Sequence, residues 1–198
     1  MPAGARELPP NLPRRLHAIV GLAAIAAPAL HTFTDILEWR HGGFTELQLW
    51  LNLLAFLPMP FLLLGLYGVQ SPRPGADGLA GAVLYGAAFA YFTFTTLFAL
   101  SGRVPDYEAL WQRLGATYTW FGAAMVVGGL LFAWSAWRNG WLPRLAVLLF
   151  ASGLAVNLIL ALLPAPDILQ TIGSAMRNVG LMLMGYDVLA GRHSGRKA

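Results

Sequence analysis

Long stretches without charge fill most of this chain, and they constrain its fold more than any other feature. The stretches lie between Arg15 and Asp35, Glu46 and Arg73, Asp77 and Arg103, Arg113 and Arg138, Arg144 and Asp167, and Asp167 and Asp187; the one charge inside them is Arg177. An α-helix rises about 1.5 Å per residue, so about 20 apolar residues cross a hydrocarbon core of about 30 Å. The pattern predicts an all-α, polytopic integral membrane protein, a bundle of six transmembrane helices.

Charges, glycines and prolines set the boundaries of the predicted spans. Pro58 and Pro60 are expected to kink the second span, because proline removes a backbone hydrogen bond. The 102–113 loop, with Asp106, Glu108 and Trp111, is expected to form a short amphipathic turn. The transmembrane domain covers residues 14–191, between flexible tails at 1–13 and 192–198, and its spans are about 14–38, 44–70, 77–101, 113–137, 143–163 and 167–190, the last capped by Asp167.

Composition excludes several classes of function. The chain is 57% hydrophobic and 11% charged, whereas a soluble domain is usually about 25% charged. It has no cysteine, which excludes disulfides, thiolate metal sites and cysteine nucleophiles. The net charge of +4 does not indicate nucleic acid, because the basic residues lie at segment ends and form no stripe with aromatic residues. The expected surroundings are membrane lipid.

The basic residues also predict the orientation in the membrane. With six spans, one side carries Arg40, Arg103 and Arg113. The other side carries nine basic residues, which are Arg6, Arg14, Arg15, Arg73, Arg138, Arg144, Arg192, Arg196 and Lys197. Cytoplasmic loops carry the excess of Lys and Arg. The sequence therefore predicts a multi-pass protein of the cytoplasmic (inner) membrane with both termini in the cytoplasm.

Polar side chains are concentrated in the outer half of the predicted spans. Because polar and ionisable groups are costly in lipid, they are expected to face the bundle interior or water. The simplest packing that satisfies them is one polar pocket near the outer face. The residues expected to bind a ligand there are His31, Asp35, Glu38, Asn52, Tyr118, Asn157, Ser174, Arg177 and Asn178.

His31, Asp35 and Glu38 form the sharpest group within that pocket. At 100° per residue they fall on one stripe of the first span, and Arg177 is the basic group deep enough to pair with Asp35. One interpretation is structural: Asp35 and Arg177 tie the first and last spans together, and His31 is hydrogen-bonded inside the bundle. The other interpretation is functional, with the stripe binding or protonating a ligand.

Three functions fit these features. The first is binding or transport of a small polar or amphiphilic molecule taken from the outer side. The second is a membrane enzyme acting on a lipid or quinone, with His31 and Asp35 as an acid–base pair. The third is a structural or accessory subunit, in which small-residue faces (Ala23 and Ala27, Ala82 and Gly86) dock a second copy or a partner in a membrane complex.

No cofactor is predicted. His31, Asp35 and Glu38 are suitable donor types for a metal, but a di-iron carboxylate bundle needs Glu-x-x-His motifs that the sequence lacks. His17 and His31 are spaced along one helix as haem ligands are in membrane cytochromes b. A second histidine-bearing span would be required, and the other spans carry no histidine.

Two short segments hint at an internal duplication. Trp39-Arg40-His41-Gly42 ends the first span, and Trp137-Arg138-Asn139-Gly140 ends the fourth. Three spans per half would make the halves inverted, as in many transporters. Chance similarity between Leu-rich helices is the alternative, and the sequence leaves both open.

Overall fold

The chain folds into α-helices joined by short connections. The computed structural model describes residues 12–163 and 167–191. Within those ranges the regular elements are all helical, which confirms the predicted all-α class. The helices are α1 (Leu12–His41), α2 (Glu46–Phe56), α3 (Met59–Val69), α4 (Ala76–Gly102), α5 (Tyr107–Leu114), α6 (Ala116–Asn139), α7 (Arg144–Ala161) and α8 (Asp167–Ala190).

Several of these helices have the dimensions of membrane spans. By length and composition, the described residues contain five segments able to cross a membrane: Arg14–His41, Glu46–Val69, Ala76–Gly102, Ala116–Asn139 and Arg144–Ala161. They support a helical membrane protein. α8 has 24 residues, a rise of about 36 Å, but it is more polar and does not join that set.

Proline interrupts the second apolar segment, as predicted. α2 ends at Phe56 and α3 begins at Met59, with Pro58 at the junction and Pro60 in the first turn of α3. In a first turn the backbone N–H has no intrahelical partner, so proline costs nothing there. Met59 is fully buried at the break, so the interruption lies inside the packed bundle.

Helix boundaries differ from the predicted spans by up to three residues, and the starts of the fourth and first spans are two of the differences. The fourth span was expected from residue 113, but Arg113 belongs to α5 and α6 begins at Ala116. The cause is Gly115, whose φ of 60° and ψ of −143° suit glycine almost alone and separate the two helices. α1 begins at Leu12, so residues 12–13, expected in the tail, are helical. The remainder of both predicted tails, the 164–166 connection and the capping role of Asp167 lie outside the described part.

The predicted amphipathic turn at 102–113 is the helix α5. Asp106 begins it, and its carboxylate accepts a hydrogen bond from the Ala109 N–H at 2.8 Å. Leu110 is buried, whereas Trp111 is 52% exposed. α5 therefore lies across one end of the bundle with an apolar side inward.

The long helices pack in sequence order around a common interior. Each segment contacts the next, and α8 returns to pack along α1. Glycines permit the closest approaches: a Cβ on Gly21 would lie 2.9 Å from the Gly185 carbonyl oxygen. Large side chains fill the interior, and those fully or almost fully buried include Tyr85, Phe89, Phe132 and Phe150.

The α1–α2 turn and α5 meet at one end of the bundle, called here the α5 end. The Phe44 N–H donates to the Pro105 carbonyl at 2.6 Å, and Arg113 donates to the Gly102 carbonyl at 3.2 Å. At the opposite end Asp77 pairs with Arg138 and accepts a hydrogen bond from Ser135. The residues predicted to bind a ligand on α1, His31, Asp35 and Glu38, lie toward the α5 end.

The two segments that hint at duplication end their helices in the same manner. Gly42 follows α1 with φ 67°, and Gly140 follows α6 with φ 71°. Left-handed glycine is a common helix terminator, so this likeness follows from local geometry alone. Nothing else in the described residues bears on the choice between three-plus-three duplication and chance similarity.

Candidate functional site

The centre of the site is a chain of three side chains linking α1 to α8. His31 Nε2 lies 3.3 Å from Asp35 Oδ1 on the same helix. On the other side of the imidazole, His31 Nδ1 lies 3.4 Å from an Arg177 guanidinium nitrogen. The sequence predicted a direct Asp35–Arg177 pair, whereas the structure places His31 between them. The i, i+4 spacing of His31 and Asp35 sets this order.

The chemistry of arginine fixes the hydrogen on His31. A guanidinium only donates hydrogen bonds, so the Nδ1 atom that faces Arg177 is the acceptor. Nε2 then carries the proton and donates a hydrogen bond to the Asp35 carboxylate. Both ring nitrogens are used, and the group reads as carboxylate, neutral imidazole, guanidinium, with no net charge.

Burial makes this group energetically significant. His31 is 6% exposed and Arg177 is 3% exposed. Aromatic rings enclose them: the ring of Phe56 meets His31 edge-on at 4.7 Å, and the Arg177 guanidinium lies 5.9 Å from the centre of Phe89. Charges held in such surroundings cost several kcal/mol each unless they are paired.

Other polar side chains extend the network to α2 and along α8. Asn178 is fully buried and donates to the Thr32 hydroxyl at 3.0 Å. The buried Thr34 hydroxyl lies 3.1 Å from Asn52 Oδ1 and 2.8 Å from the His31 carbonyl oxygen. The two threonines were missed in the sequence. Thr34 stands three residues after His31 on a helix, and that spacing is the signal that places it on the same face.

Some acceptors at this end have no hydrogen-bond partner among the residues that the structure describes. Asp35 Oδ2 and Gln48 Oε1 are both buried in this condition. Gln48 is 1% exposed. Buried polar atoms are normally hydrogen-bonded, and each exception needs an explanation. Both atoms accept hydrogen bonds, so the missing partners are donors.

α5 contributes a tyrosine above the carboxylates. Burial raises the pKa of Tyr107 well above its ordinary value, and the charges of Glu38 and Asp35 raise it further. The Tyr107 hydroxyl therefore lies near these carboxylates, although 39% of the residue is exposed. Its ring packs edge-on against Phe44 at 4.8 Å, which ties α5 to the α1–α2 turn.

The remaining predicted residues lie around this centre. Asn157 of α7 donates to Ser174 of α8 at 3.0 Å, with the second Asn157 atom, Oδ1, buried and without a partner among the described residues. Tyr118 packs against Phe92 at 5.7 Å. Glu38 is half-buried on the α1 stripe. The structure thus joins His31, Asp35 and Arg177 directly, with Asn178 touching Arg177 at 3.4 Å.

The arrangement of the described side chains does not favour a metal site. Across residues 12–163 and 167–191, no three His, Cys, Asp or Glu side chains are grouped so as to hold a metal ion. His17 lies near the start of α1 and His31 two-thirds along it, so the two do not face a shared ligand. Of the side chains in contact with His31, Asp35 is of a metal-ligating type, whereas Arg177 and Phe56 are not.

A separate open groove lies on the protein surface between α5 and α6. Its volume is about 500 Å³, and it is lined by Trp111, Gln112, Gly115, Ala116, Thr119 and Trp120. The Trp111 indole donates to the Thr119 hydroxyl at 3.0 Å. Exposed tryptophans at the end of a span are typical of the membrane–water boundary.

Comparison of the chain with known protein families, curated proteins and solved structures finds no match.

Proposed function

We propose that this protein crosses the cytoplasmic membrane six times, with both termini inside, and binds or transports a small polar or amphiphilic molecule at the α5 end. The single observation that carries the proposal is the buried Asp35–His31–Arg177 chain. Ionisable groups inside a membrane bundle are costly and usually mark a path or a ligand site.

The packing of α8 supports the sixth span. α8 lies along α1 and α7, both apolar segments of spanning length. Its polar residues face inward: Arg177 and Asn178 are buried, while Ile172 and Val179 on the other side are exposed. A helix with this pattern suits a membrane, because only its apolar face needs to meet lipid.

The distribution of basic residues supports the orientation. At the α5 end the described arginines are Arg40, Arg103 and Arg113, and at the opposite end they are Arg14, Arg15, Arg73, Arg138 and Arg144. The second group favours the cytoplasm. The α5 end would then face outward, so a ligand enters from outside beneath α5.

The hydrogen-bond pattern favours binding over acid–base catalysis. Both nitrogens of His31 are engaged, one by Asp35 and one by Arg177. A general base needs a nitrogen within reach of a substrate proton. Asp35 Oδ2, in contrast, accepts no hydrogen bond in the described residues, so it is available to a ligand that donates.

A thermal-shift library tests the proposal. The purified protein would be melted with several hundred small polar and amphiphilic molecules, beside Asp35→Asn, Arg177→Gln and, as a matched control, the exposed Arg40→Gln. We expect at least one compound to raise the melting temperature of the wild type and of Arg40→Gln alone. A library that stabilises none of the proteins, or all of them equally, contradicts the site.

A further inference from the structure

Arg177 is a buried cation whose hydrogen-bond partners are all weak. Among the described residues its hydrogen-bond contacts are His31 Nδ1 at 3.4 Å, Asn178 Oδ1 at 3.4 Å and the Met125 sulfur at 3.6 Å. Good N–H···O bonds measure 2.7–3.2 Å, and charge-assisted bonds to carboxylates are shorter still. A guanidinium that is 3% exposed and always charged is therefore poised to receive an anionic oxygen.

Asp35, on the far side of the same imidazole, has an acceptor atom that lacks a hydrogen-bond donor in the described residues. Its Oδ1 atom contacts His31, while its buried Oδ2 atom has no hydrogen-bond partner in the described ranges. Gln48, on the next helix and at the same end of the bundle, has a buried acceptor in the same condition. This side of the site is poised to receive a hydrogen-bond donor, and best of all a cation.

Charge balance then selects the class of ligand. Asp35, His31 and Arg177 together carry no net charge, so a simple anion at Arg177 or a simple cation at Asp35 would add a charge that these three groups do not compensate in a low dielectric. A zwitterion supplies an anionic oxygen to Arg177 and a cationic donor to Asp35, and it does not change the net charge. We infer that the ligand is an amino-acid-like zwitterion, with its carboxylate on Arg177 and its ammonium group on Asp35.

The surroundings also indicate what the rest of that ligand is like. The rings of Phe56 and Phe89 border His31 and Arg177, and Phe89 packs in turn on Tyr85 at 4.8 Å. Apolar and aromatic walls with a few placed polar groups are typical of small-molecule sites. The site fits an amino acid with an apolar side chain better than one with a second charge.

This inference rests on the proposed function, and it names the ligand of the same site. The probes are leucine and phenylalanine, each with its two singly charged analogues: 3-methylbutylamine and 4-methylpentanoate for leucine, and 2-phenylethylamine and 3-phenylpropanoate for phenylalanine. Binding to the purified protein in lipid nanodiscs is measured by titration calorimetry.

We expect one of the zwitterions to bind at least tenfold more tightly than both of its analogues. Asp35→Asn should weaken the zwitterion at least tenfold, while the carboxylate analogue binds at least as tightly as to the wild type, because its charge is now compensated by Arg177. Arg177→Gln should also weaken the zwitterion, while the amine analogue binds at least as tightly as to the wild type. Arg40→Gln serves as the control and should bind as the wild type does.

Two results would overturn the inference. In the first, neither zwitterion binds more tightly than its analogues, whatever the library screen finds. In the second, a singly charged or neutral compound stabilises the wild type and loses its effect in Asp35→Asn or Arg177→Gln. The second result contradicts a zwitterionic ligand but agrees with the binding function, so the two claims can fail separately.

Discussion

At the scale of single residues, one imidazole decides how the buried charges are arranged. His31 separates a carboxylate from a guanidinium that would otherwise form a short, strong pair. A directly paired Asp35 and Arg177 would satisfy each other and leave little for a ligand. Inserting a neutral ring lengthens both contacts and leaves donor and acceptor capacity unused at each end.

Removing Arg177 should destabilise the fold. Arg177→Gln takes the cation from a buried chain and leaves Asp35 without compensation, which typically costs about 3–5 kcal/mol. The melting temperature of the purified protein should fall clearly, while the exposed Arg40→Gln shifts it little. The double variant Asp35→Asn/Arg177→Gln should lose less than the two single losses added together. Strict additivity would show that the two residues are not coupled through His31.

Tyr107 should make the protein sensitive to alkaline pH. Its pKa is raised in the folded state by burial and by Glu38 and Asp35. Above about pH 10 an unfolded tyrosine loses its proton while the folded one keeps it, so stability falls as the pH rises. Tyr107→Phe keeps the ring contact with Phe44 and should reduce this fall. Melting temperatures of both proteins between pH 9 and 11 measure this fall. If the melting temperature falls equally with pH in the two proteins, the placement of the Tyr107 hydroxyl near Glu38 and Asp35 is contradicted.

At the scale of helices, backbone contact positions the site. A Cβ on Gly153 of α7 would lie 2.7 Å from the Cα of Arg177, so this glycine lets α7 press directly on the turn that carries the arginine. The Leu57–Pro58 break between α2 and α3 is accommodated inside the bundle. Gly115 turns the chain from α5 into α6. Of these three features, the Gly153 contact acts directly on a residue of the site, Arg177.

Substitution of Gly153 should disturb both packing and site. Gly153→Ala forces α7 and α8 apart, and overpacking of this kind costs about 1–3 kcal/mol. Gly122 of α6 is the matched control, because a Cβ there meets nothing within 4 Å. Gly122→Ala should leave the melting temperature unchanged or raise it, since alanine favours a helix. Equal destabilisation by both variants would contradict the tight α7–α8 contact.

At the scale of the whole molecule, the sequence was most informative about features set by the surrounding solvent and by local chemistry. Uncharged length alone predicted the helices, and Pro58 predicted the break, because both depend on local chemistry. The position of Arg113 in α5 was missed, since Gly115 acts through a backbone angle that no residue count reveals. The neighbours of Arg177, Met125 and Phe89, could not be found either. They come from α6 and α4, and only the packing of distant segments brings them to α8.

The orientation of the bundle has a simple test, because the chain has no cysteine. Glu108 on α5 and Ser71 between α3 and α4 are both exposed and lie at opposite ends. We expect an impermeant maleimide to label Glu108→Cys in intact cells, and Ser71→Cys only after the membrane is permeabilised. The reverse pattern would place the α5 end in the cytoplasm and contradict the proposed entry side.

Native mass spectrometry of the protein extracted from its own membranes tests most directly whether the buried chain is a ligand site. The account predicts one small molecule per wild-type chain, retained in Arg40→Gln and absent from both Asp35→Asn and Arg177→Gln that remain folded. Wild-type protein without any bound molecule, or the same bound mass in every variant, would show that Asp35, His31 and Arg177 only tie α1 to α8.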